Sequence, residues 1–211
     1  MNRQQWLKER LSGVGASEAS AIVNLNPYKT NVELWEEKTG LRVAEDISDK
    51  AVVKYGIEAE RPLRELFALD FPQYQVEYHE YKIIRNAEYP FIFCTLDGEL
   101  TEIETGRKGI LEIKTTEIMQ SGQWAKWKDR IPDNYYIQCL HQLLATGWDF
   151  VILKAQIKST YDNDMKLTTK HYPIERKDVL EDIEYLKNKE IEFWNNNVLT
   201  KEKPNLLLPL I

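Results

Sequence analysis

Apolar residues recur at helical spacing from Trp6 to Leu11 and stop at Ser12-Gly13. Ser17 closes a small-residue turn, Gly13 to Ser17, and is expected to cap a helix over Glu18–Val23. Pro27 marks Asn24–Thr30 as a loop. A short helix is expected over Asn31–Lys38, with Val32, Leu34 and Trp35 turned to the core and Gly40 as its stop. The charged stretch Arg42–Lys50 has no period and reads as a surface loop. Helical spacing returns from Ala51 to Leu69, with Ile57, Leu63, Leu66 and Phe67 as core positions. Pro62 lies inside that stretch, so the helix is expected to begin near Glu58 or to bend there.

The rhythm then shortens. Gln75–Ile84 and Phe91–Leu96 are rich in β-formers, and Gly98–Ile103 and Gly109–Lys114 continue a sheet through a turn at Thr105-Gly106-Arg107. Ile137–Thr146 is an amphipathic helix ending at Gly147, followed by a strand over Phe150–Ile157. A hairpin or loop is expected over Lys158–Lys170, then a strand over Lys170–Ile174. A last helix spans Lys177–Asn195, with Val179, Leu180, Ile183, Leu186, Ile191 and Phe193 on its apolar side. This order implies an α/β (α+β) fold, a central mixed β-sheet flanked by helices. At 211 residues the chain is expected to form a single domain, 1–211.

Composition narrows the classes. The apolar fraction is 43% and the charged fraction 29%, with 11 Tyr and 6 Trp, which excludes a disordered chain. No apolar run is long enough to cross a bilayer, and the first ten residues hold no apolar stretch of a secretory signal. A cytoplasmic protein with no membrane partner is expected. Cys94 and Cys139 have no metal or redox spacing and are expected to be buried thiols. The net charge of −6 disfavours a nucleic-acid partner at first sight. However, a site that gathers carboxylates around divalent cations carries a negative charge the metal offsets, and 28 Lys and Arg are enough to line one groove.

The sharpest chemical signal is Asp97, followed fifteen residues later by Glu112-Ile113-Lys114. Alternation on a strand turns Leu111 and Ile113 to the core and Glu112 and Lys114 outward together. Hairpin pairing brings Asp97 and Glu112 close. Two carboxylates and the backbone carbonyl of Ile113 form an all-oxygen site suited to Mg²⁺ or Mn²⁺. A neighbouring lysine orients an attacking water, while a metal polarises the phosphoryl group. The strand is otherwise strongly apolar, so its charges need a reason. A third carboxylate, Glu60, stands on the preceding helix near Gly56.

Several blocks then align in one order: Arg10-Leu-Ser-Gly-Val-Gly-Ala-Ser17, Asn26-Pro-Tyr-Lys-Thr, Glu33-Leu-Trp-Glu-Glu-Lys-Thr-Gly40, Tyr55-Gly-Ile-Glu-Ala-Glu60, Thr95-Leu-Asp97-Gly, Leu111-Glu112-Ile-Lys114-Thr and Tyr136-Ile-Gln138-Cys-Leu-His-Gln142. The chain resembles the YqaJ/lambda exonuclease family of phage recombination exonucleases, within the PD-(D/E)XK nuclease superfamily. That resemblance implies that Asp97 and Glu112 ligate catalytic metal, that Glu60 completes the shell in preference to Glu58, and that Lys114 serves the nucleophilic water. It places Gln138 over the active site, with His141 or Gln142 one turn further on as candidates to face it. Arg10 and Ser17 match positions that receive a terminal 5′-phosphate, where a guanidinium, a hydroxyl and helix N-terminal amides make an anion pocket. Tyr28, Trp35, Trp124 and Trp127 are candidates to stack on bases.

Thr95-Leu96 and Leu140 depart from the family's residues but remove no ligand. The implied activity is a Mg²⁺-dependent exonuclease acting on double-stranded DNA ends from the 5′ end. The implied partners are a toroidal homotrimer and a single-strand annealing protein. Another nuclease of the superfamily, an endonuclease or a Cas4-like enzyme, and a non-catalytic DNA-end binding module are the alternatives.

Overall fold

The computed structural model describes residues 1–119, 121–161 and 164–208. Helix α1 (Arg3–Glu9) opens on a capping box between Asn2 and Gln5 and runs into a 3₁₀ turn, Arg10–Ser12. A short strand β1 (Val14–Gly15) leads into helix α2 (Ala16–Ile22), then α3 (Asn31–Lys38), which a Thr30/Glu33 capping box starts. The long helix α4 (Ala51–Asp70) begins well before Glu58 and runs through Pro62. Glu58 lies on the solvent side, where water can take the carbonyl that Pro62 has no N–H to bond.

Strands β2 (Tyr74–Glu77), β5 (Gly98–Glu102), β6 (Lys108–Ile118), β7 (Phe150–Tyr161) and β8 (Asp164–Glu175) form a five-stranded mixed sheet in the order β2-β5-β6-β7-β8. Within this sheet, among the described residues, the β6–β7 pair is parallel and the other pairs are antiparallel. Strands β3 (Ile84–Arg85) and β4 (Ile92–Cys94) join β1 in a second sheet, β1-β4-β3. Between β6 and β7 lie the short helix α5 (Ser121–Trp124) and helix α6 (Asp133–Thr146), which Gly147 ends at φ 71°. Helix α7 (Leu180–Phe193) closes the chain's ordered core.

Period-two alternation along β6 builds two cores. Ile110 packs with Val151, Leu153 and Ile157 against α2, α6 and α7. Leu111 and Ile113 pack with Phe150 and Ile152 against Leu63 and Phe67 of α4. Each such fully buried apolar side chain contributes roughly 1.5–3 kcal/mol.

Several expectations need correction. Ile57, Leu66 and Leu180 are exposed rather than core, because only one stripe of α4 and of α7 meets a sheet or helix. The run Gln75–Ile84 is not one strand. Tyr81 takes φ 58° in a turn that closes with Lys82 N–H on the His79 carbonyl, and the chain there leaves one sheet for the other. The hairpin expected over 158–170 is present, with strand on both arms, and residues 162–163 lie outside the described residues. Cys94 and Cys139 are buried free thiols, and burial pushes both thiol pKa values up. No helix among the described residues is long and apolar enough to cross a membrane.

Candidate active site

Pairing of β5 with β6 ends at Gly98↔Leu111, so Asp97 stands one step beyond it, opposite Glu112. The Asp97 carboxylate takes the place of a strand partner, its Oδ2 accepting the Ile113 N–H at 2.8 Å. Arg64 of α4 holds the same residue from behind, donating to the Asp97 carbonyl at 2.5 Å. Glu112 was expected to face outward with Lys114. It is instead 1% exposed, because α6 covers that face of β6. Gln138 donates to its Oε1 at 2.6 Å and Gln142, one turn later, to its Oε2 at 2.5 Å. Lys114 Nζ pairs with Glu112 Oε1 and lies 5.3 Å from the Tyr135 ring centroid.

These side chains open into one cavity of about 100 Å³, lined by Arg10, Gly15, Ala16, Ser17, Glu60, Phe93, Thr95, Asp97, Glu112, Ile113, Lys114 and Gln138. Arg10, Ser17, Glu60, Asp97, Glu112, Ile113, Lys114 and Gln138 are all on that wall. Glu58 is not; it lies exposed with Lys54 at 4.0 Å.

The charges are unbalanced. Three carboxylates face one ammonium. Burial raises the Asp97 carboxyl well above its ordinary value, and Glu112 adds to the shift. Burial and then Glu112 also raise Glu60. Burial works against the charge of Lys114, yet Glu112 and Asp97 outweigh it and raise its pKa.

The opposite wall is built by the N-terminal segment. Val14 N–H donates to the Phe91 carbonyl at 2.7 Å, and a Cβ on Gly13 would stand 2.0 Å from that oxygen. Glycine lets β1 lie against β4. Ser17 does not cap α2 as expected: the helix starts at Ala16, and Glu18 reaches back to accept the Gly15 N–H at 2.9 Å. Ser17 is therefore free to point its hydroxyl at Arg10, whose Nη2 donates to it at 3.4 Å.

The other candidates divide. Gln142 reaches Glu112, but His141 faces away, its ring nitrogens 2.7 Å from Glu190 and 2.8 Å from the Phe93 carbonyl. Trp35 and Trp127 are core residues, and Trp124 packs partly buried against the core, while Tyr28 is 88% exposed. Thr95, Phe93, Tyr135 and Arg64 were not anticipated at the site. Local spacing could have marked them: Phe93 and Thr95 stand four and two residues before Asp97, Tyr135 one helical turn before Gln138, and Arg64 one turn after Glu60.

A metal must be tested against these side chains. Among the described residues no group of three or more His, Cys, Asp or Glu is arranged to hold an ion. The Glu112 oxygens instead engage two glutamine amides and Lys114. The donor chemistry nevertheless fits a hard divalent cation: the carboxylate residues Glu60, Asp97 and Glu112 line one wall together.

The YqaJ-like viral recombinase domain family matches residues 5–149. The chain belongs to this family. All the cavity-lining residues, from Arg10 to Gln138, fall within the YqaJ-like segment. The chain is 35% identical over 209 residues to the uncharacterized protein YqaJ of Bacillus subtilis (strain 168), an alignment that takes in 98% of this chain and 60% of that protein. It thus spans about three fifths of the length of this relative. Among solved structures, the alkaline exonuclease LHK-Exo of Laribacter hongkongensis has the same fold. It aligns at a TM-score of 0.67 and 18% identity, over 95% of this chain and 97% of that one. The structure of LHK-Exo in complex with dAMP gives a TM-score of 0.67 at 17% identity over 94% of each chain. A phage related exonuclease from Haemophilus somnus 129PT aligns at 0.57 and 12% identity, over 90% and 96%.

Proposed function

We propose that this YqaJ-like protein is a divalent-metal-dependent DNA exonuclease that shortens one strand of linear double-stranded DNA from its 5′ end. One observation carries the reading: a three-carboxylate, one-lysine wall and the Arg10–Ser17 pair share a single small cavity. The family membership and the common fold with the exonuclease LHK-Exo support it. The dAMP bound in LHK-Exo is a deoxynucleoside monophosphate, the product class expected here.

Asp97, Glu112, Glu60 and the Ile113 carbonyl would hold Mg²⁺, with Mn²⁺ as a substitute. Bound there, the ion polarises the scissile phosphoryl group and offsets charge on the leaving oxygen. Lys114, kept as an ammonium by Glu112 and Asp97, orients the attacking water and lies against the developing negative charge. Gln138 and Gln142 fix the Glu112 carboxylate, so that its geometry is set before substrate arrives. Arg10 and Ser17 receive the terminal 5′-phosphate and so set which bond meets the carboxylates.

The same reading includes a toroidal homotrimer that threads the duplex and a single-strand annealing protein that takes over the strand left behind. A ring needs basic residues only along its channel, which reconciles the acidic chain with DNA.

The test is digestion of end-labelled linear duplex and of covalently closed circles, with and without Mg²⁺. The expected result is 5′-mononucleotide release from linear DNA only, in Mg²⁺ only. Cutting of circles would turn the reading to an endonuclease. Binding of ends without cleavage in any divalent ion would turn it to a DNA-end binding module.

A further inference from the structure

We propose that Lys38 is the positioning residue of the terminal-phosphate pocket, locking Arg10 and Ser17 into one unit from a third helix. The inference rests on the reading of Arg10 and Ser17 as phosphate contacts.

Lys38 ends α3 and does not line the cavity. A lysine at the end of an eight-residue helix has solvent within easy reach, yet this side chain is 1% exposed. Burying an ammonium is costly unless every donor is used well. Here Nζ donates to Glu18 Oε2 at 2.7 Å and to the Arg10 carbonyl at 2.8 Å. The same Glu18 oxygen accepts the Gly15 N–H at 2.9 Å. One ion pair therefore joins the backbone that carries Arg10, the backbone that enters α2 just before Ser17, and α3.

The Arg10 guanidinium lies over the Trp6 ring, 4.7 Å from its centroid, and makes a 3.4 Å contact with Ser17. Its direction into the cavity depends on where its backbone sits, and Lys38 holds that backbone. Burial opposes the Glu18 charge, but Lys38 and Arg10 outweigh it and hold the carboxyl below its ordinary value. Burial lowers the Lys38 pKa, and Glu18 offsets part of that shift.

The experiment compares steady-state digestion of 5′-phosphorylated and 5′-hydroxyl duplex by the wild type, Lys38→Met and Lys38→Arg, in Mg²⁺. Because Lys38→Met alone strands a buried carboxylate, the Glu18→Gln/Lys38→Met double variant is measured beside it, with circular dichroism as the check of fold. The wild type is expected to prefer the phosphorylated end. Lys38→Met and the double variant are expected to raise KM on that end about tenfold, the scale of one lost charge-assisted hydrogen bond, with kcat unchanged. Neither variant changes KM on the hydroxyl end, and Lys38→Arg restores most of the preference. A preference retained in both Met variants overturns the inference, and so does an equal loss on both ends, which is what a merely structural lysine gives. A wild type indifferent to the phosphate ends the reading of Arg10 and Ser17 and takes this inference with it.

Discussion

Two groups of ionisable side chains are buried on opposite sides of α6, and they are balanced differently. On one side, Gln138 and Gln142 reach Glu112, next to Asp97, Glu60 and Lys114. On the other, His141 and Glu190 are both 0% exposed and pair one to one, with the second ring nitrogen on the Phe93 carbonyl. Nε2 faces the Phe93 carbonyl and Nδ1 faces the Glu190 carboxyl group. Burial lowers its pKa, but Glu190 outweighs that and raises it above the ordinary value. The second cluster closes its own charge and joins α6, α7 and β4. The first keeps more carboxylates than cations, and burial first, then Glu112, makes its Asp97 and Glu60 hold protons more tightly. An unbalanced buried cluster that opens to a cavity is built for a ligand; a balanced one sealed in the core is built for the fold.

The largest expected effect separates the two clusters by function. Lys114→Ala and Glu112→Ala should each lower cleavage of linear duplex by about 10²–10⁴-fold, with the far-ultraviolet circular dichroism unchanged. Normal digestion by either variant would break the comparison at its first term.

The next effect is on stability. His141→Ala leaves Glu190 buried without its partner and should cost about 3–5 kcal/mol in urea unfolding. The pH dependence has a definite sign. Since the folded protein raises the pKa of His141 above 6.5, the stability from this pair is fully present below that value and is lost as pH rises through the folded-state value. The groups that face the ring are Glu190, the Phe93 carbonyl and, at longer range, Glu18. In His141→Ala this alkaline loss should disappear from the unfolding profile.

Divalent metal should act on the first cluster alone. At a hundred times its dissociation constant, Mg²⁺ should stabilise the wild type by about 2.7 kcal/mol, and Asp97→Asn should remove most of that gain. A melting temperature indifferent to Mg²⁺ would count against the site.

The smallest effect sharpens the comparison most. Without metal, Asp97→Asn keeps an oxygen to accept the Ile113 N–H and removes one surplus charge. It should raise stability by about 1 kcal/mol while activity is lost, the opposite of His141→Ala.

Much of this was legible in the chain. The helix Asn31–Lys38 and the stop at Gly147 rest on local backbone hydrogen bonds, so they hold wherever the segment lies. Ser17 misled because the helix begins before it, at Ala16 with Gly15 as the capping position, where Glu18 reaches back to accept the Gly15 N–H. The period of β6 separated Leu111 and Ile113 from Glu112 and Lys114 correctly, but periodicity says which residues share a face and not what covers it.

What the sequence by itself determined is therefore the chemical inventory: which segments are helix or strand, and which carboxylates, lysine, arginine and amides recur in the family's order. Only the tertiary structure decided that α6 lies over Glu112, that β1 can approach β4 at Gly13, and that Lys38 buries its charge behind Arg10. The reason is physical. Caps and periods are set within a few residues of chain, whereas a desolvated charge is set by whichever distant element closes over it.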